Sequence, residues 1–549
     1  MPKPCPLWFL PLCLPLFLPG PEARAAEPTG RPAAADTHGD AAAEPPTEVE
    51  LEERSSSRDG RVVIAGQAVE YTATVGDIVL RDDEGKPRAK MTYVSYLRQG
   101  VPDRAARPVT FAFNGGPGSA SVWVHLGAFG PKRAELDAEG FPVGPPPGRL
   151  IDNPYSLLDA TDLVFIDPVE TGWSRPAPGV ETKEFTGFTK DVESVGDFIR
   201  LWVSRNGRWA SPKLIAGESY GTTRAAGLAR YLQDRHGMFL NGICLISSVV
   251  NWGTKVFNVG NDLAYVLILP TYTATAWYHG KLPDRFDGDL RAALAEAEEL
   301  ALGDYASALM RGDLLPAEER RRLAARLAEL TGLSQEYLED ADLRVEIFRF
   351  TKELLRDEGL TVGRLDSRYT GRDRDDAGET FEYDPASALT TGWYVSLMKD
   401  YLRRELGYDS DLEFRHSAGR KVRPWDYHES DPELSYGTNA YANYAEHLRR
   451  AMHENPYLQV LVMSGYYDLA TPYFASDYTA THMQLDESVR DHLRVAYYEA
   501  GHMMYVREAS LAKLREDYLR LLRDALAAAP TGGAARAGAA GAAGAGAGD

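Results

Sequence analysis

Short apolar runs that alternate with helical patterns constrain this 549-residue chain more than any other feature. Residues 109–113, 162–166, 213–216, 243–246, 459–463 and 495–498 read as buried strands, and residues 189–205 and 440–453 carry helical spacing between them. Strands buried on both faces with helices between them predict an α/β fold, a mainly parallel central sheet flanked by helices. Residues 71–79 and 89–97, joined by the turn Asp82-Asp83-Glu84-Gly85, predict an antiparallel pair ahead of it. Residues 255–425 break the rhythm with a charged helical stretch at 288–357, and the alternation then resumes. That resumption predicts a helical cap inserted into one core, which divides into residues 61–254 and 426–527.

The two ends read differently. Lys3 precedes an apolar, proline-interrupted run over 6–18, and Ala23-Arg24-Ala25 supplies a small-x-small cleavage pattern, so residues 1–25 are expected to be a secretory signal and the protein to be exported. Pro11 and Pro15 break that run, so no stable membrane insertion is expected. Residues 26–60 carry few large apolar side chains and are expected to be a flexible leader; residues 528–549, nearly all Gly and Ala, are expected to be disordered. With Cys5 and Cys13 inside the signal, Cys244 stands alone in the mature chain, and its apolar neighbours mark it as a buried thiol. A formal net charge of -20, spread through the chain, disfavours nucleic acid as a partner.

Gly217-Glu218-Ser219-Tyr220-Gly221 joins the run at 213–216 to a helical pattern over 222–235. A serine between glycines at a strand-to-helix turn is a nucleophile elbow, which lifts Oγ out of the sheet at a helix N-terminus. A serine hydroxyl needs a base, and the base needs an acid to hold its tautomer. Asp468 and His502 each follow a strand, in the order serine, acid, histidine that such folds use. Asn114-Gly115-Gly116-Pro117-Gly118 also follows a strand, and its glycines expose backbone N–H groups; Gly116 and Tyr220 are the expected oxyanion donors. No zinc-protease motif, Walker loop or Cys/His cluster is present, so no metal or cofactor is expected.

Asn114–Gly118 with Ser119-Ala120-Ser121, the elbow, Asp468, Gly501-His502-Met503 and the loop Asp167-Pro168-Val169-Glu170-Thr171-Gly172-Trp173-Ser174 together resemble the serine carboxypeptidase family, as a bacterial-type member. The resemblance implies an α/β-hydrolase fold with a helical cap, an acyl-enzyme mechanism, release of C-terminal residues from a peptide substrate, and no metal or cofactor. It also implies that Asn114, Gly115, Glu218 and Met503 contact substrate, with Asn114 and a protonated Glu218 receiving the terminal carboxylate. The chain departs from the family pattern at Ala112 and Ala128, where a tryptophan and a second glutamate are expected, and in lacking the family's disulfides. Those departures keep open an esterase, acyltransferase or peptidase of other specificity; a catalytically silent binding protein on the same scaffold is the minor non-enzyme alternative, and the complete Ser219, Asp468 and His502 set stands against it. Arg224 is a candidate replacement for the lost carboxyl, its plainer reading being a helix arginine paired with an acid.

Overall fold

The computed structural model describes residues 51–428 and 442–527. Strand β1 (Ser55–Ile64) forms a hairpin with β2 (Gln67–Arg81), and β3 (Pro87–Arg98) continues the antiparallel run. β4 (Val109–Phe113), β5 (Asp162–Ile166), β6 (Lys213–Glu218), β7 (Gly242–Ile246), β8 (Gln459–Gly465) and β9 (Leu493–Tyr498) follow. They pair in the order β1-β2-β3-β5-β4-β6-β7-β8-β9, parallel from β5 onward. This is the mainly parallel, helix-flanked sheet of the α/β-hydrolase fold.

The period-two alternation of the strands divides the interior into two cores. Val109, Phe111, Phe113, Ile215, Ile243 and Val462 face helices α1 (Phe188–Arg205) and α2 (Tyr220–His236). Ala112, Leu214, Ala216, Cys244 and Met463 face the other side, which the C-terminal helix Glu508–Ala527 covers with Leu511, Leu514, Tyr518 and Leu521. Both faces are sealed, so the ligand-facing positions are at the carboxyl ends of the strands. Cys244 sits at 0% exposure, and burial pushes its thiol far above its ordinary range.

The start of the described chain corrects part of the leader expected over 26–60: residues 55–60 are strand, not leader, while residues 26–50, the signal expected at 1–25 and the tail expected at 528–549 lie outside the described residues. Their polar side chains line the exposed part of a hairpin whose far end buries Val62 and Ile64, and Ala65 and Gly66, at φ 48° and 79°, make its two-residue turn. Composition conceals a strand of this kind, because backbone pairing rather than apolar content holds it.

Between β7 and β8 the chain is largely helical, and it divides between two cores. Residues from Val266 to Val362, including helices Leu263–Tyr278 and Ala317–Thr331, build an apolar core of their own, which Leu469 joins. Tyr394, Leu397, Tyr401 and Phe414 instead pack into the main core. Backbone bridges Ser119↔Ser417 and Gly172↔Arg415 tie that second part to the loops after β4 and β5.

Candidate functional site

The elbow is set by backbone contacts that leave no room for side chains. Ser219 has φ 59° and ψ −129°, a left-handed conformation rare for a residue with a Cβ, and its N–H donates to Ile246 O at 2.9 Å. A Cβ on Gly217 would lie 2.2 Å from Gly221 O, and one on Gly115 would lie 2.4 Å from Tyr220 N. The loop after β4 therefore rests directly on the start of α2. Gly116 has φ +103°, open only to glycine at low cost. Among the described residues neither the Gly116 N–H nor the Tyr220 N–H donates to a protein acceptor. Two unspent donors beside a half-buried serine suit an anionic oxygen.

Asp468 and His502 are brought together at 2.7 Å, Nδ1 to Oδ2, both buried. Thr471 Oγ1 donates to the same carboxylate oxygen at 2.5 Å, and the N–H groups of Ala470 and Thr471 donate to the other at 2.8 and 2.9 Å. Burial alone would raise the Asp468 pKa; the His502 charge and these hydrogen bonds outweigh it and hold the carboxyl below its usual range. The imidazole loop is clamped from outside its own strand. The His502 N–H donates to Leu365 O at 2.6 Å, Ser247 Oγ donates to His502 O at 2.6 Å, and the Gly501 N–H donates to Asp366 Oδ2 at 3.0 Å. Asp366 is itself fixed by Arg368, Nη2 to Oδ2 at 2.7 Å. Thr471, Ser247, Leu365 and Asp366 escaped the sequence reading; only Ser247, next after a strand, carried a positional signal.

Ser219, His502 and Gly116 line one cleft of about 440 Å³, together with Trp252, Trp425 and Tyr427. Among the described residues no hydrogen bond joins Ser219 Oγ to the imidazole; in unliganded sites that bond is commonly long. A larger cavity of about 690 Å³ lies among residues 300–329, where Asp304, Arg311, Glu319, Arg322, Arg326 and Glu329 alternate with Leu300, Leu315 and Leu323; Ser307 is its one hydroxyl and no histidine lines it, so the chemistry is in the smaller one.

The other residues expected to touch substrate lie elsewhere. Glu218 accepts from Asn114 Nδ2 at 2.9 Å and from Tyr505 Oη at 2.6 Å, while Asn114 Oδ1 accepts from the N–H groups of Trp123 and Val124 at 3.2 and 3.1 Å. Both side chains are buried, at 4% and 2% exposure, and both spend their hydrogen bonds on protein. Burial pushes Glu218 up to about 7 against the opposing pull of His502, Tyr505 and Asn114. Ala128 is in the main core, as is Met503, and a Cβ on the adjacent Gly127 would meet the Tyr505 ring at 2.4 Å. Tyr505 and its neighbours thus fill this corner. Gly115 packs on the elbow, as above. Arg224 is fully buried, pairs with Asp191 at 2.7 Å and donates to Asn114 O at 2.9 Å, so it is a structural arginine that does not stand in for the lost carboxyl.

Residues 83–281 match the family model described as serine carboxypeptidase. That segment contains the Asn114–Gly118 loop and the elbow. A serine carboxypeptidase-like protein (number 36) of Arabidopsis thaliana is 27% identical over 157 residues, which are 28% of this chain and 30% of that protein, so the chain spans about a third of that relative's length. Among solved structures, a prohormone-processing carboxypeptidase, KEX1(DELTA)P of Saccharomyces cerevisiae, aligns with a TM-score of 0.48 at 15% identity, over 82% of this chain and 91% of that one. A carboxyl esterase from Bacillus coagulans aligns with a TM-score of 0.32 at 12% identity, over 82% of this chain and 98% of that one. The resemblance read from the motifs is therefore borne out by an independent match.

Proposed function

We propose, for a chain whose residues 83–281 match serine carboxypeptidases, that it is a serine-type carboxypeptidase releasing C-terminal residues from peptides. The observation that carries this reading is the Asp468–His502 pair at 2.7 Å in the cleft that Ser219 enters from a nucleophile elbow. Ser219 Oγ attacks the scissile carbonyl carbon while His502 Nε2 takes its proton, and Asp468 holds the Nδ1–H tautomer and stabilises the imidazolium. The N–H groups of Gly116 and Tyr220 receive the oxyanion. Collapse breaks the C–N bond, His502 passes its proton to the departing amine, and water then hydrolyses the acyl-enzyme by the same steps in reverse roles. No step requires a metal or cofactor.

Domain roles follow as part of the proposal: a signal at 1–25 that exports the protein, and a cap built by the helical segment over the cleft. Among the described residues no helix is long and apolar enough to cross a membrane. Mass spectrometry of products from a mixed peptide library tests the activity. Loss of single residues from the C-terminus is expected, and cleavage confined to internal bonds would refute the carboxypeptidase reading. A second reading, an acyl hydrolase indifferent to the terminal carboxylate, is favoured by one observation, the sealed Asn114–Glu218 corner. It predicts equal turnover of a peptide and its C-terminal amide.

A further inference from the structure

The cleft carries a group of charges that the mechanism above does not use. Lys255, Arg364 and Arg423 all line it alongside Ser219 and His502. Lys255 and Arg364 are half-buried and Arg423 is exposed. Among the described residues none of the three has a carboxylate at ion-pair distance, in a chain that carries 80 acidic residues against 60 basic ones. Unpaired cations gathered at one cleft of a strongly acidic protein are costly by mutual repulsion unless an anion is to be received there. The cost is visible at Lys255: burial and the neighbouring Arg364 charge hold its ammonium down to about 8, and only Asp468 opposes them. Its Nζ is 5.3 Å from the Trp252 ring centroid, a contact that orients the ammonium, and among the described residues no side-chain or backbone oxygen accepts from it.

We propose that Lys255, Arg364 and Arg423 form the receptor for the substrate's terminal carboxylate, in place of the sealed Asn114–Glu218 pair. The inference rests on the carboxypeptidase reading and names its recognition element. A terminal carboxylate is separated from the scissile carbon only by the leaving nitrogen and one Cα, so the receptor must share the cleft of the nucleophile. These cations do, whereas Asn114 and Glu218 do not line it. A guanidinium can grip a carboxylate with two parallel N–H donors, and does so with the substrate ionised, needing no protonated glutamate.

The test measures kcat/KM for a blocked dipeptide with a free C-terminal carboxylate and for its amide, on the full-length enzyme and on Arg423→Gln, Arg364→Gln and Arg423→Lys. The native enzyme is expected to favour the acid, and each Gln variant to lower the acid-to-amide ratio at least ~10-fold, mainly through KM, with Arg423→Lys restoring part of it. Added salt is expected to raise KM for the acid and to leave the amide's KM flat, a measurement that needs no variant. An unchanged ratio in the Gln variants, or equal salt dependence for acid and amide, would overturn the proposal. So would a peptide amide ending in glutamate losing its turnover in the variants while the acid-to-amide ratio of a neutral peptide holds, since the cations would then read a side chain. Labelling of Ser219 by a fluorophosphonate separates the layers. An unlabelled native enzyme sinks the hydrolase reading itself, whereas labelled enzyme with an unchanged ratio sinks only the receptor.

Discussion

Two regions meet at residues 218 and 219, and they are built in opposite ways. Ser219, Gly116 and His502 open on the cleft with donors and a nucleophile left unspent, while one residue earlier Glu218, with Asn114 and Tyr505, is closed on itself. The open region is over-determined by its supports: glycines at 115 and 217 with no space for a Cβ, and Thr471, Ser247 and Asp366 around the acid and imidazole loops. The closed region is itself such a support, since Glu218 ties the loop after β4 to the short turn Met504–Val506 just past His502. Residues in a motif associated with substrate binding can thus serve as a brace for the reacting groups, and recognition then falls to other side chains.

The contrast can be sharpened by variants, beginning with the largest effect. Asp468→Asn leaves the shape of the open region but permits the wrong imidazole tautomer, and kcat on a blocked peptide is expected to fall by about 10⁴. A drop of less than ~10-fold would mean the buried pair is not the working one. Gly116→Ala places a Cβ 2.9 Å from the N atoms of Gly118 and Ser119 at a φ of +103°, so the loop must shift and the donor with it. A loss of roughly 10²–10³ in kcat is expected, the size of one oxyanion donor.

The closed region answers to pH instead. Glu218 is raised from 4.5 to about 7 in the folded protein, so the stability tied to its protonated form is complete below 4.5 and is lost as pH rises through 7. Glu218→Gln cannot ionise, and thermal unfolding across that window is expected to flatten by up to about 3 kcal/mol. An acid-to-amide ratio that fell further in Glu218→Gln than in Arg423→Gln would break the comparison, because the corner would then be meeting substrate. The smallest change is expected of Tyr505→Phe, which deletes one donor to a buried carboxyl and costs about 1–3 kcal/mol in chemical denaturation.

The sheet was legible because strands buried on both faces show as unbroken apolar runs, and the elbow because glycine is forced wherever backbones touch. Asp468 and His502 were legible as strand-end residues in a fixed order. The rest depends on contacts between segments far apart in the chain. Nothing near Asp366 announces that it holds Gly501, and the receptor cations come from three separate stretches of the helical segment with no shared spacing. Glu218 and Asn114 were found in sequence, but their closure on Tyr505 was not, since the filling of the Ala128 corner can be seen only once residues 128 and 505 are side by side. The strand at 55–60 was hidden by polar side chains on an exposed hairpin edge.

The central claim is that the Ser219 hydroxyl is an activated nucleophile served by His502 and Asp468. Incubation with a fluorophosphonate followed by peptide-mapping mass spectrometry tests it directly. A single adduct on Ser219, formed at a rate that collapses in His502→Ala, is the result expected; no adduct, or one formed equally fast without the imidazole, would contradict the account.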